Sequence, residues 1–134
     1  MFDIEATGLN KRTDRIVAIA IVRYEPDGSV EQFAYLLNPG TPIPEEATQI
    51  HGITDDDVRE APTFAEMADV LTAHFDGADL AGYNILGYDI QMLAEEFTRA
   101  GRTFSLEGRR ILDAQRIFFR NEPRDLSAAL RYYC

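Results

Sequence analysis

Arg15-Ile16-Val17-Ala18-Ile19-Ala20-Ile21-Val22-Arg23-Tyr24 holds seven consecutive apolar residues between two arginines, five of them β-branched. Such a run favours an extended backbone, and it is too apolar for a strand with one wet face. It therefore predicts a central strand covered on both faces. Working outward from it, Glu25-Pro26-Asp27-Gly28 is a turn signal, and Val30 to Leu37 carries enough β-branched and aromatic residues to return as the second strand of a hairpin. On the other side, Phe2-Asp3-Ile4-Glu5-Ala6 alternates apolar and acidic residues, the pattern of a strand with one polar face.

Further along, Asn38 to Pro44 is too rich in proline and glycine for regular structure, and Pro44-Glu45-Glu46 reads as a helix start with acids in its first turn. Thr54-Asp55-Asp56-Asp57 and Thr63-Phe64-Ala65-Glu66 both have the spacing of a capping box. Phe64, Met67, Ala68, Leu71 and Phe75 form one apolar stripe of a helix that stops near Gly77. Asp79 to Tyr83 fits a short buried strand. Gly87 to Ala100 fits a helix with Ile90, Leu93, Phe97 and Ala100 on one face and Gly101 as its stop, and Arg110-Ile111-Leu112-Asp113 leads into a helical tail. With no internal repeat or linker, residues 1–134 are expected to make one α/β domain with helices on both sides of a sheet.

Composition narrows the chemistry. No apolar run approaches the roughly 20 residues of a membrane span, so a soluble, cytoplasmic domain is expected, without a membrane partner. The single cysteine, Cys134, cannot form an internal disulfide or a cysteine-based metal site, which leaves oxygen ligands for any metal. The net charge of −10 opposes a polyanionic partner. Its distribution is uneven, however. Residues 1–98 carry 5 basic against 19 acidic side chains, and residues 99–134 carry 8 arginines against 4 acids. Those arginines (Arg99, Arg102, Arg109, Arg110, Arg116, Arg120, Arg124 and Arg131) either face phosphate or are scattered solvated charges.

Three acids stand out. On a strand, Asp3 and Glu5 point to one face while Phe2 and Ile4 point to the other. Taken alone, an amphipathic strand explains the pair. Asp89 lies four residues before Leu93 and eight before Phe97, near the apolar stripe of its own helix. A carboxylate there is either an N-terminal helix acid favoured by the dipole or one held for a purpose, because burying an unpaired charge is costly. Three oxygen donors suit hard cations such as Mg²⁺ or Mn²⁺, and two such ions about 4 Å apart clamp the attacking and leaving oxygens of a phosphoester.

The stretch Asp3-Ile4-Glu5-Ala6-Thr7-Gly8-Leu9-Asn10 resembles the first motif of the DEDDh-type 3′-5′ exonucleases, the family of the proofreading subunit of bacterial DNA polymerase III, with Ala6 where a threonine is usual. Gly82-Tyr83-Asn84-Ile85-Leu86-Gly87-Tyr88-Asp89 resembles the second motif, with Tyr83 for histidine, Tyr88 for phenylalanine and one more residue than usual between Asn84 and Asp89. Asn38-Pro39-Gly40, Ile43-Pro44 and Ile50-His51-Gly52-Ile53-Thr54 resemble the intervening loop, and Leu112-Asp113-Ala114 and Leu126 to Cys134 the helices before the third motif.

The resemblance implies an RNase H-like mixed sheet with an antiparallel hairpin, flanked by helices and lacking the C-terminal part of the fold. It implies a metal-dependent 3′-5′ exonuclease with Asp3, Glu5 and Asp89 as catalytic residues and ligands of two Mg²⁺ or Mn²⁺ ions. Ala6, Thr7, Gly8, Leu9, His51 and Asn84 would line a single-stranded or frayed 3′ end of DNA or RNA, and His51 serves equally well as a loop-ordering residue. A general-base histidine five residues before a fourth aspartate is expected beyond Cys134. His74 is expected to face solvent or cap its helix, and neither histidine is expected to be the base. The alternative is a nuclease-fold module without catalysis that holds single strands or a polymerase subunit.

Overall fold

A computed structural model describes residues 1–121 of the chain. The expectations for Arg124, Arg131 and the Leu126–Cys134 helix lie outside the described residues. Strands β1 (Phe2–Ala6), β2 (Ile16–Tyr24) and β3 (Val30–Leu36) form an antiparallel sheet in the order β1-β2-β3. The β2–β3 hairpin closes through Glu25 to Ser29, where the amide of Gly28 donates to the Glu25 carbonyl and Gly28 takes a positive φ of 88°. Helices α1 (Glu45–His51), α2 (Asp55–Val58) and α3 (Phe64–Phe75) follow. Strand β4 (Leu80–Gly82) then lies beside β1 and pairs in parallel with β5 (Ile111–Asp113). Between those two strands come a π-helical turn, Ile85–Asp89, and α4 (Ile90–Arg99), and α5 (Ala114–Asn121) ends the described part.

The caps follow the sequence. Thr54 accepts from the amide of Asp57, and the Asp57 carboxylate accepts from the amide of Thr54, so a capping box forms even with aspartate in place of the longer glutamate. At the start of α3, Thr63 accepts from the amide of Glu66, which is one of the two bonds of the expected capping box. The α3 stripe packs with Ile90, Met92, Leu93 and Phe97 against Phe2, Ile4, Ile19 and Ile21 on one face of the sheet, and Phe64 meets Phe97 edge to face at 5.0 Å. Val17 turns instead into a small satellite core with Ile43, Ala47 and Val58, because the β1–β2 register shifts between Glu5 and Ala6.

Two expectations are corrected and one is extended. β2 is not covered on both faces among the described residues: Ala20 and Tyr24 are exposed and Ala18 half-buried. The run reads as fully apolar because its outward positions are alanines, which sustain a hydrophobic pattern while leaving an open face. Residues 111–113 lead into α5 as expected, and they also form a short strand, since the parallel ladder with Leu80–Gly82 supplies what three residues cannot specify on their own. His74 neither faces solvent nor caps α3. It is 9% exposed, packs on Phe33 at 4.1 Å between ring centroids and shares a 2.8 Å hydrogen bond with the Tyr35 hydroxyl.

Candidate active site

Asp3 and Glu5 project from β1 onto the open face, opposite Ala20 and Ala18 of β2. They line a shallow groove of about 240 Å³ with Ala18, Ala20, Ala34 and Leu36. Small side chains next to the carboxylates keep this part of the sheet accessible.

Asp89 reaches Asp3 from the other direction. It ends the π-helical turn, is 5% exposed, and its Oδ2 is the one fully buried side-chain oxygen or nitrogen among the described residues without a hydrogen-bond partner. Burial first, then the adjacent Asp3 charge, pushes its pKa up to about 7, against the pull of the Ile4 backbone N–H. A carboxyl held this way is short of positive charge. Among the described residues no group of three or more histidines, cysteines and acids is gathered as a ready-made metal cluster. Asp3 and Asp89 adjoin each other, while Glu5 shares the face of Asp3 and its charge reaches Tyr88. The donors are all carboxylate oxygens, and one is buried and unsatisfied, so the set fits a hard divalent cation.

The π-helical turn explains the spacing of the second motif. Asn84 adopts the left-handed conformation at φ 55°, the only non-glycine residue with positive φ among the described residues, and the amide of Ile90 donates to the Ile85 carbonyl five residues back. The added residue between Asn84 and Asp89 is taken up by the wider turn, and Asp89 still arrives beside Asp3. Gly87 packs closely on Asn84: a Cβ there would sit 2.4 Å from Asn84 Oδ1 and force that side chain to shift.

The turn is anchored by a residue the sequence did not single out. Asp113, 5% exposed at the end of β5, accepts from the amides of Asn84 (2.8 Å), Leu86 (3.1 Å) and Gln115 (3.1 Å). Burial works against its charge, but those amides and the nearby Arg116 outweigh it and hold the carboxyl below its ordinary range. An aspartate directly before a helix is a capping signal that pointed to this role. Glu96, 1% exposed on α4, was missed as well. It takes Arg15 in a bidentate pair at 2.8 and 3.0 Å, the amide of Ile16 at 3.1 Å, and Arg99 at 3.4 Å. It thereby ties α4 to the start of β2.

The remaining candidates divide. Ala6 is 7% and Thr7 5% exposed, so both residues are turned from solvent. The Thr7 hydroxyl donates to Asp14 Oδ1 and accepts from the Arg15 amide. Asp14 Oδ2 accepts from the Asn10 amide and lies 2.5 Å from where a Gly8 Cβ would be, so a side chain at residue 8 would push Asp14 out of these bonds. Leu9 is 84% exposed. Both ring nitrogens of His51 are engaged: Nδ1 accepts from the Ile53 amide, which leaves Nε2 to donate to the Ala6 carbonyl at 3.1 Å. His51 thus orders its loop against the end of β1.

Tyr88, half-buried, donates to the Gly8 carbonyl at 2.7 Å. Burial first, then the charges of Asp89, Asp14 and Glu5, pushes its pKa up to about 12, so it stays a donor. Four of the C-terminal arginines are committed within the protein. Arg99 binds Glu96 and the Arg12 carbonyl, Arg102 binds Asp69, Arg109 the Phe75 and Ala78 carbonyls, and Arg110 Asp79.

The chain is 38% identical over 107 residues to a DNA polymerase III subunit epsilon-like protein of Rhodobacter capsulatus, covering 78% of this chain and 15% of that protein. It is 32% identical over 97 residues to the DNA polymerase III subunit epsilon of Treponema pallidum, covering 72% of this chain and 45% of the relative. It therefore spans less than half the length of these relatives. Escherichia coli exonuclease I, solved in complex with a dA13 oligonucleotide, superposes with a TM-score of 0.76 at 20% identity over 94% of this chain and 32% of that one, which establishes the shared RNase H-like fold. The family model described as Exonuclease matches residues 1–128, and on that match, with two acidic motifs converging beside β1, the chain belongs to the RNase_T exonuclease family.

Proposed function

We propose that this chain acts as a 3′-5′ exonuclease domain that hydrolyses phosphodiester bonds from the 3′ end of DNA or RNA and releases 5′-mononucleotides. The observation that carries this reading is the buried, unpartnered Oδ2 of Asp89 beside Asp3, a pair of like charges the fold maintains although two carboxylates in contact repel each other.

Asp3, Glu5 and Asp89 would hold two Mg²⁺ or Mn²⁺ ions, in keeping with a family that generally uses divalent metals. When bound, the metal supplies Lewis-acid polarisation of the phosphate and a more acidic water. The chain's own residues do the rest. Asp89 gives an oxygen of fixed position because Asp113 anchors the turn that carries it. Gly8 and Leu9 meet the terminal nucleotide, Ala6 and Thr7 offer backbone groups, and Asn84 and His51 bound the space. The relatives that are named as subunits of a replicative polymerase favour a cytoplasmic role next to such an enzyme.

The test is digestion of a 5′-labelled single strand in Mg²⁺ or Mn²⁺ by the whole protein and by Asp89→Asn. A ladder shortening one nucleotide at a time from the 3′ end, lost in the variant by at least about 10²-fold, is expected. Equal digestion by both would refute the site, and binding without cleavage by both would favour the non-catalytic module.

A further inference from the structure

We propose that Tyr88 is a positioning residue for the strand terminus, its hydroxyl fixing the Gly8–Leu9 peptide relative to Asp89. This rests on the exonuclease reading given above.

The segment after β1 is anchored on both sides of that peptide. Thr7 is held by the carbonyl and amide of Arg15 and by Asp14, and the amide of Asn10 is held by Asp14. Between those anchors, Gly8 has no side chain and Leu9 points into solvent, 84% exposed, so neither fixes the peptide by packing. Among the described residues its one hydrogen bond is the 2.7 Å contact from the Tyr88 hydroxyl to the Gly8 carbonyl. In a trans peptide the C=O and N–H point in opposite directions, so holding the Gly8 oxygen also sets the direction of the Leu9 N–H and the start of its side chain.

Tyr88 itself is immobilised. Its ring packs on the main core, and it immediately precedes Asp89 in the π-helical turn anchored by Asp113. One side chain therefore carries the position of the second-motif acid over to the first-motif loop. A phenylalanine would fill the same ring volume and lose only the tie.

The experiment compares the whole protein with Tyr88→Phe, using Asp89→Asn as a control. Affinity is measured with Ca²⁺ in place of Mg²⁺ for a linear single strand and for a circular strand of the same sequence, which has no terminus. Turnover on the linear strand is then measured with Mg²⁺. Tyr88→Phe is expected to bind the linear strand about tenfold more weakly, as befits one hydrogen bond, and the circle within about twofold of the parent. KM should rise by a similar factor, with kcat nearly unchanged. Unchanged affinity for the linear strand, an equal loss on both strands, or a fall in kcat at constant KM would overturn the assignment to Tyr88. Full turnover by Asp89→Asn would instead overturn the exonuclease reading itself, whichever way Tyr88→Phe behaves.

Discussion

Asp89 and Glu96 lie seven residues apart on the same face of one helical segment, and both are buried. Their surroundings could hardly differ more. Glu96 has two arginines and a backbone amide to neutralise it, whereas Asp89 Oδ2 has no partner and faces another carboxylate. Burial alone does not mark a functional acid. What separates the two is whether the fold supplies the compensating charge or leaves it to be supplied from outside.

The largest effect expected from breaking this contrast is at Glu96. Glu96→Ala leaves Arg15 and Arg99 without their acid and the Ile16 amide without an acceptor, at a cost of about 3 kcal/mol of unfolding free energy. Chemical denaturation measures it, and a cost below about 1 kcal/mol would mean that the pair is a surface ornament. Asp113→Ala should follow at about 2 kcal/mol through three lost amide bonds. It should also reduce nuclease activity, because the turn carrying Asp89 loses its anchor. Asp113→Ala with full activity would separate the anchor from the site.

A smaller effect of opposite sign is expected at Asp89. Its folded-state pKa of about 7 lies above the ordinary carboxylate value, so the folded protein binds more protons than the unfolded chain between about pH 4 and pH 7. Its contribution to stability is therefore greatest in acid and is lost as pH rises through 7. Asp113, whose pKa is lowered, contributes stability above the ordinary carboxylate value that is lost as pH falls. Comparing the metal-free protein with Asp89→Asn by thermal melting isolates the first term. The variant should be close to the parent near pH 4, gain on it as pH rises, and be more stable by roughly 1–3 kcal/mol at pH 8. A constant difference across that range would deny the raised pKa.

The sequence made Asp89 visible because an acid beside an apolar stripe violates the helical pattern. The same signal marked Glu96, and only the lack of a motif around it kept it from notice. Asp3 and Glu5 were legible from the period of two. The open sheet face was misread because alanines count as apolar in a pattern yet bury little surface. β5 was missed because three residues carry no period, and the π-helical turn because one added residue gives no hint whether a helix widens or shifts register. The bonds of the Thr7 hydroxyl to Asp14 and Arg15 and of His51 to Ala6 join residues 7 to 45 apart, which no local pattern encodes.

The central claim is that Asp89 awaits a divalent cation, and a thermal melt at pH 8 with increasing Mg²⁺ or Mn²⁺ tests it most directly. The parent protein should be stabilised in a saturable way, by about 2.7 kcal/mol at one hundred times the dissociation constant, and should overtake Asp89→Asn, which should respond little. Equal stabilisation of both proteins, or none of the parent, would contradict the assignment of Asp89 as a metal ligand.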